Sequence, residues 1–228
     1  MEDRAAQLAA YHRDEVVGCV RCPLSAGRTQ VVVGNGDPDA DLMFVGEAPG
    51  YHEDRQGVPF VGQAGKLLDR MLAGIGLSRS HVFVANVLKC RPPGNRDPLP
   101  AEIEACERHL YRQVALIRPH VVATLGNFAT KLLSGRPDGI SRVHGHALPI
   151  QIGDLPVLLY PLYHPAAALY TPAMLATLES DFARLPALLG GDGAGEAAPA
   201  VPDVPEVEER EPVAAAAAPA PAEQLGLF

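Results

Sequence analysis

Four short apolar runs, at 41–45, 81–88, 119–125 and 156–162, dictate what this chain can fold into. Each is about the length of a buried strand and too short for a core helix. The segments between them carry helical periodicity. Leu67, Leu68, Met71 and Leu72 fall on one face of a helix over 63–75, closed by Gly74 and Gly76. Pro100 and Glu102 open a helix over 100–117, as a first helical turn favours. A shorter helix follows Gly126-Asn127 to Leu133, and Thr171-Pro172 opens a last one to about Leu189. A helix over 2–17, a short strand at 30–33 and a β segment at 146–152 complete the reading. Strands alternating with helices build βαβ units, so the expected fold is α/β, with a mostly parallel sheet covered by helices on both faces. Glu47, Asn86, Gly126 and His164 then fall at or just past the carboxyl end of a strand. In open α/β sheets that edge is where ligands bind.

The richest of these strand ends is the stretch from Gly46 to Gly65. Gly46-Glu47-Ala48-Pro49-Gly50 must turn tightly, and Glu47, Glu53 and Asp54 place three carboxylates on the turn. Phe60 lies between Pro59 and Gly62, just before the helix at 63. Acids, backbone donors and a flat apolar ring suit a planar ligand with polar edges. Asn86 offers an amide donor and acceptor together, which can read one edge of a pyrimidine. His164, followed by Pro165 at a strand end, can donate to an oxygen that gains negative charge. A solvated strand-to-helix connection would account for any one of these features, but not for four strand ends converging.

Cysteine usage adds a second constellation. The four cysteines run Cys19-x2-Cys22, then Cys90 in a Pro-rich loop, then Cys106 in the helix at 100–117. Nothing at the N-terminus reads as a secretory signal and no apolar run is long enough to span a bilayer, so a cytoplasmic, reducing location is expected. Four cysteines there point to metal or catalysis more than to disulfides. Four thiolates suit tetrahedral zinc or an iron–sulfur cluster. A zinc ribbon usually shows two Cys-x2-Cys pairs, and only the first half of this set has that form, so the spacing favours a cluster.

Charge separates the chain in two. Of 27 acidic and 19 basic residues, eight acids and one arginine fall in 190–228, leaving 19 acidic and 18 basic in 1–189. Of the net charge of −8, the tail therefore carries −7 and the first part −1, so the first part, nearly neutral, can still carry a local basic face for nucleic acid. From Gly190 onward Gly, Ala, Pro and Glu dominate, a composition unable to bury a core and expected to be disordered. The domain boundaries expected are thus 1–189 and 190–228.

Taken together, Gly46-Glu47-Ala48-Pro49-Gly50 with Glu53-Asp54, Gly57-Val58-Pro59-Phe60-Val61-Gly62, Asn86-Val87-Leu88-Lys89-Cys90-Arg91-Pro92-Pro93, His164-Pro165-Ala166 and the cysteine spacing resemble the family 4 uracil-DNA glycosylases. These are iron–sulfur enzymes of bacteria and archaea, and the resemblance runs from about Cys19 to Leu189. It implies a three-layer α/β/α sandwich with a central four-stranded sheet. It also implies hydrolytic excision of uracil from single- or double-stranded DNA by a monomer, with a [4Fe–4S] cluster on Cys19, Cys22, Cys90 and Cys106. In that scheme Phe60 stacks on the extruded base, Gly46 and Ala48 line its pocket, and Asn86 selects uracil over cytosine. His164 stabilises the departing uracil and Glu47 holds the attacking water. In sister families the catalytic carboxylate or amide falls one place later, where this chain has Ala48, and Glu53 and Asp54 are alternates. A related group trapped covalently on uracil-DNA has Gln at position 48 and a basic insert, both absent here, so ordinary turnover is expected. Leu169 or Tyr170 would wedge into the duplex gap. Arg91 and Arg142, with Arg96, Arg136 and Lys131, would meet phosphates.

Two other classes of function remain: a non-catalytic iron–sulfur module that binds DNA or senses damage, and a nucleotide-binding enzyme. Against the latter, the chain has neither a P-loop nor a Rossmann glycine fingerprint. The tail ends in Gln224-Leu225-Gly226-Leu227-Phe228, which resembles the pentapeptide by which bacterial repair and replication proteins bind the sliding clamp. Gln224, Leu225, Leu227 and Phe228 would make the contact, tethered by the acidic linker.

Overall fold

The structure is a computed structural model that describes residues 3–190. In chain order the strands are β1 (Asn35–Gly36), β2 (Leu42–Gly46), β3 (Phe83–Asn86), β4 (Val121–Leu125), β5 (Leu148–Ile152) and β6 (Leu155–Leu162). The α-helices are α1 (Arg4–Tyr11), α2 (Tyr51–Gln56), α3 (Gln63–Gly74), α4 (Pro100–Ile117), α5 (Asn127–Ser134), α6 (Ile140–Val143), α7 (Pro165–Ala168), α8 (Pro172–Phe182) and α9 (Leu185–Leu189). The strands form one sheet in the order β1-β3-β2-β4-β6-β5.

The four central strands are parallel, as the βαβ pattern requires. The sheet is nonetheless six-stranded rather than four-stranded, because β1 and β5 add antiparallel edges. Side-chain alternation explains the layers. Met43 and Val45 of β2 face a core shared with Leu110, Val114 and Ile117 of α4. Leu42 and Phe44 face the opposite core, with Leu67, Leu68 and Met71 of α3 and Phe182 of α8. The Phe44 and Phe182 rings stack there at 5.7 Å. Strands buried on both faces have no polar side to show, which is why they read as continuous apolar runs.

Several boundaries differ from the sequence reading, each for a local reason. The strand expected at 30–33 is irregular: Val32 N–H bonds to the Lys89 carbonyl at 2.8 Å instead, and the edge strand forms at Asn35–Gly36. The expected 2–17 helix widens into a π-helical turn at His12–Val16, where Val17 N–H bonds to the His12 carbonyl. The last helix breaks between Phe182 and Leu185, ahead of Pro186, which has no N–H to continue the ladder. The acidic turn after β2 is itself helical: Gly50 precedes α2 and Gly57, at φ 70°, ends it. Residues 190–228 and the clamp-like pentapeptide lie outside the described residues beyond Gly190.

Strand order locates the binding edge. The connection from β2 leads to β3 on one side, while β4 lies on the other. The carboxyl ends of β2 and β4 therefore diverge, leaving a crevice at a topological switch point.

Candidate active site

Register places the first two site residues together. Gly46 of β2 is the direct partner of Asn86 of β3. The ladder continues past the strands, with Val87 N–H donating to the Gly46 carbonyl at 2.9 Å and Leu88 N–H to that of Glu47 at 3.0 Å. A side chain at position 46 would run into Asn86 Oδ1 and meet the Phe60 ring at 2.8 Å, so glycine is what lets these two residues approach. Asn86 is 2% exposed, yet its side-chain amide bonds no other described residue. A buried amide is ordinarily satisfied within the protein, so a free one facing a cleft marks a place for a ligand.

Phe60 is held with unusual force. Its backbone is left-handed, at φ 54°, which an aromatic residue rarely adopts. Arg79 Nη2 donates to its carbonyl at 2.8 Å, and Asp69 in turn holds Arg79 Nε at 2.5 Å. Gly65 lies against the same carbonyl and has no room for a Cβ. Sequence reading missed Arg79, which is 19 residues from Phe60 and carries no local signal.

His164 ends the last parallel strand's extension, in a connection leading into α7. Its ring stacks beside Phe60, centroid to centroid 5.6 Å with 29° between planes. Ala166 N–H donates to Nδ1 at 3.1 Å, so that nitrogen is the acceptor and the neutral ring carries its hydrogen on Nε2. Nε2 has no acceptor among the described residues. Burial lowers the His164 pKa below the usual 6.5, a shift that Glu53 partly opposes. The imidazole is therefore a neutral donor near pH 7.

A cleft of about 500 Å³ opens over these residues, with Glu47, Ala48, Glu53, Phe60, Asn86 and His164 on its walls. A second of about 630 Å³ adjoins it across Glu47 and His164 and reaches Asp97, Asn127 and Lys131. Burial raises the Glu47 pKa above 4.5, and Asp97 adds to the shift. Asp54 is engaged elsewhere: it is buried and accepts from Thr29 N–H at 2.9 Å, bracing the loop.

Residues 33–185 match the family model described as "Uracil DNA glycosylase superfamily". The chain belongs to that superfamily. It is 46% identical over 178 residues to a type-4 uracil-DNA glycosylase of Sulfurisphaera tokodaii, covering 76% of this chain and 81% of the relative. A type-4 enzyme of Archaeoglobus fulgidus is 47% identical over 180 residues, covering 77% and 90%. Another, of Saccharolobus solfataricus, is 47% identical over 177 residues, covering 75% and 82%.

The DNA-facing residues expected of such a glycosylase are unequally placed. Tyr170 is 87% exposed at the rim after α7, with Leu169 packed beneath it. Arg91 lies 5.2 Å over the Tyr51 ring and donates to Asn95 at 2.6 Å, so it straps its loop to α2. The Arg142 side chain is exposed and pairs with Asp138 at 3.4 Å. Arg96, on the wall of the cleft, grips Glu102 through two bonds of 2.9 and 2.6 Å. No described helix is long and apolar enough to cross a membrane.

The cysteines come together on the α4 side of the sheet. Cys90 lies in the electrostatic reach of Cys22 and Cys19, and Cys106 in that of Cys90 and Cys22. Burial pushes both thiols up, Cys106 to about 11, so only bound metal would hold them as thiolates near pH 7. Two N–H groups point at the sulfurs, Arg28 Nη1 to Cys90 at 3.4 Å and Lys89 N to Cys106 at 3.3 Å, and His109 Nε2 lies 3.4 Å from Cys19. The Tyr11 hydroxyl lies 2.8 Å from His109 Nδ1, and when it donates there the ring carries its hydrogen on Nε2, toward Cys19. Among the described residues no three His, Cys, Asp or Glu side chains are spaced to share one ion. Sulfurs around a single zinc stand about 3.8 Å apart, given about 2.3 Å Zn–S bonds, whereas ligands at the corners of a multi-iron cluster stand wider. Converging thiols with N–H donors fit the cluster.

Proposed function

We propose that this chain flips uracil out of DNA and hydrolyses its N-glycosidic bond, leaving an abasic site for base-excision repair. The observation that carries the reading is the free, buried Asn86 amide set beside Phe60 and the neutral His164 donor. Extrusion of the base costs a few kcal/mol. Phe60 offsets part of that by stacking on the base, while Asn86 donates to one uracil oxygen and accepts from the ring N–H. Cytosine, with its amine, reverses that pattern. As the C1′–N1 bond breaks, its electron pair leaves with uracil, and His164 Nε2–H stabilises the charge growing on O2. Water adds to C1′ from a position held by Glu47, which takes its proton. Hydrolysis needs no electron, so a [4Fe–4S] cluster on Cys19, Cys22, Cys90 and Cys106 is structural, tying the N-terminal loop to the Cys90 loop and α4. Arg91, Arg142, Leu169 and Tyr170 contact the DNA around the extruded base.

Incubation with a uracil-containing oligonucleotide, followed by hot alkali, tests the activity. Breaks at the uracil position only after alkali are expected; no breaks, or breaks before alkali, contradict hydrolytic excision. Anaerobic preparation should yield brown protein with about four irons per chain. Stoichiometric zinc without iron contradicts the cluster.

The pH profile follows from the two titrating groups. Glu47 acts as a carboxylate, and its raised pKa makes it protonate above 4.5 as pH falls. His164 acts while neutral, and its lowered pKa puts protonation below 6.5. Both losses lie on the acid side. The single-turnover rate should be level from pH 7 to 8.5 and fall through the interval below pH 6.5. A rate that rises as pH drops from 8 to 6 would require the imidazolium form and contradict this assignment.

The terminal pentapeptide extends the reading to a partner. A linker of about 34 residues would have an r.m.s. reach on the order of 30 Å if it behaved as a flexible coil, enough to hold the enzyme close to a clamp on new DNA. Deletion of residues 224–228 should abolish clamp binding in calorimetry and leave excision from a short oligonucleotide unchanged. Equal clamp affinity before and after truncation rejects the motif.

A further inference from the structure

We propose that Lys89 is a positioning residue that links the cysteine centre to Asn86 and holds that amide in its uracil-reading pose. The proposal rests on the reading of Asn86 given above. Lys89 is 1% exposed, and among the described residues no carboxylate pairs with it. Its Nζ donates to the Asn86 backbone carbonyl at 2.7 Å and to Gln113 Oε1 at 2.6 Å. Gln113 is fully buried in α4 and its amide nitrogen is taken by the Val33 carbonyl and by His12 Nε2, so its oxygen has one orientation left, toward Lys89.

The consequence for Asn86 is geometric. Its side-chain amide has no protein hydrogen bond to steer it, so its direction is set by the backbone and by contact with Gly46. The peptide following Asn86 is gripped on both edges: Lys89 Nζ holds the carbonyl, and Gly46 accepts from Val87 N–H. That fixes the Asn86 backbone, and with it the bond from which the side chain projects. Remove the ammonium and the carbonyl edge is released while the other edge stays.

The same ammonium needs a counter-charge. A buried cation without one is strongly disfavoured. The acidic group nearest to supplying it is Cys106, whose sulfur also accepts from the Lys89 backbone N–H at 3.3 Å. Thiolates gathered on a cluster supply that charge, so one residue answers to both centres.

The test compares the full chain with Lys89→Met, which keeps the stem and removes charge and donors, and with Gln113→Leu, which removes one anchor and spares the bond to Asn86. Three quantities are read: single-turnover uracil release, inhibition by free uracil, and affinity for an abasic oligonucleotide. Lys89→Met should lose about 10- to 100-fold in rate, the scale of a small misplacement in a reacting site. Its inhibition by free uracil should weaken at least 10-fold, with abasic affinity within about threefold. Gln113→Leu should move the same two quantities about three- to tenfold and leave the third. A merely structural lysine would lower all three together or none. Iron release to a chelator should also be faster in Lys89→Met than in the parent. If Lys89→Met does not fold, Gln113→Leu decides alone, and parent-like rate and uracil inhibition in it overturn the proposal. The same result in a folded Lys89→Met overturns it directly. A parent protein that releases no uracil would instead count against the function itself.

Discussion

Alanine at position 164 will slow uracil release by about 10²- to 10³-fold in single-turnover assays, the usual cost of removing one preorganised donor from a developing oxyanion. The reason lies in what His164 is already doing before substrate arrives. Ala166 N–H holds Nδ1 as an acceptor, which commits Nε2 to carrying the hydrogen. Burial keeps the ring neutral. Nothing among the described residues accepts from Nε2, so in the proposed mechanism the donor is free for the charge that grows as the glycosidic bond breaks. An interaction strengthened in the transition state lowers the rate when removed and barely changes binding. Affinity for an abasic oligonucleotide should therefore remain within about threefold. Equal losses in affinity and rate would make His164 a binding residue and move the departing oxygen elsewhere.

Replacing Asn86 by leucine, similar in size and without polar atoms, will reduce kcat/KM by about 10³-fold. Two bonds to the uracil edge are lost, and each buried polar group left unpaired costs about 1–3 kcal/mol. The effect differs in kind from that of His164. In the proposed function Asn86 touches the base in the ground state as well, so free uracil should cease to inhibit the variant, whereas His164→Ala should still be inhibited. Gly46 gives an independent check on the same contact. Alanine there would crowd Asn86 Oδ1 and the Phe60 ring without deleting either, and should impair base reading comparably. Uracil excision by Asn86→Leu at the parent rate would remove the amide from the site.

What the sequence disclosed follows the range over which each interaction acts. The α4 span Pro100–Ile117 was legible to the residue because Pro100, Glu102 and the apolar spacing all speak locally. The four parallel strands were legible because burial on both faces leaves only apolar residues. Asn86 and His164 stood out as polar groups closing such runs. Arg79, Arg28, Lys89 and Gln113 did not, because their partners lie 19, 62, 3 and 80 residues away, and even the near one is a backbone carbonyl that leaves no trace in residue identity. The partner of Arg96 was hidden for a related reason. Charge suggests phosphate, and only the fold shows Glu102 in its fork. Of the two edge strands, β5 was legible as the β segment at 146–152, whereas β1 escaped because it is two residues of Asn-Gly, which by composition is a turn.

The most direct measurement is the identity of what leaves the DNA. A duplex with one radiolabelled uracil is incubated with the full chain, and the small molecules are separated and identified. Free uracil, one per strand, with the strand intact and an identical cytosine duplex untouched, is the expected result. Release of deoxyuridine monophosphate, release of cytosine at a similar rate, or no release at all would contradict a glycosylase that reads uracil through Asn86.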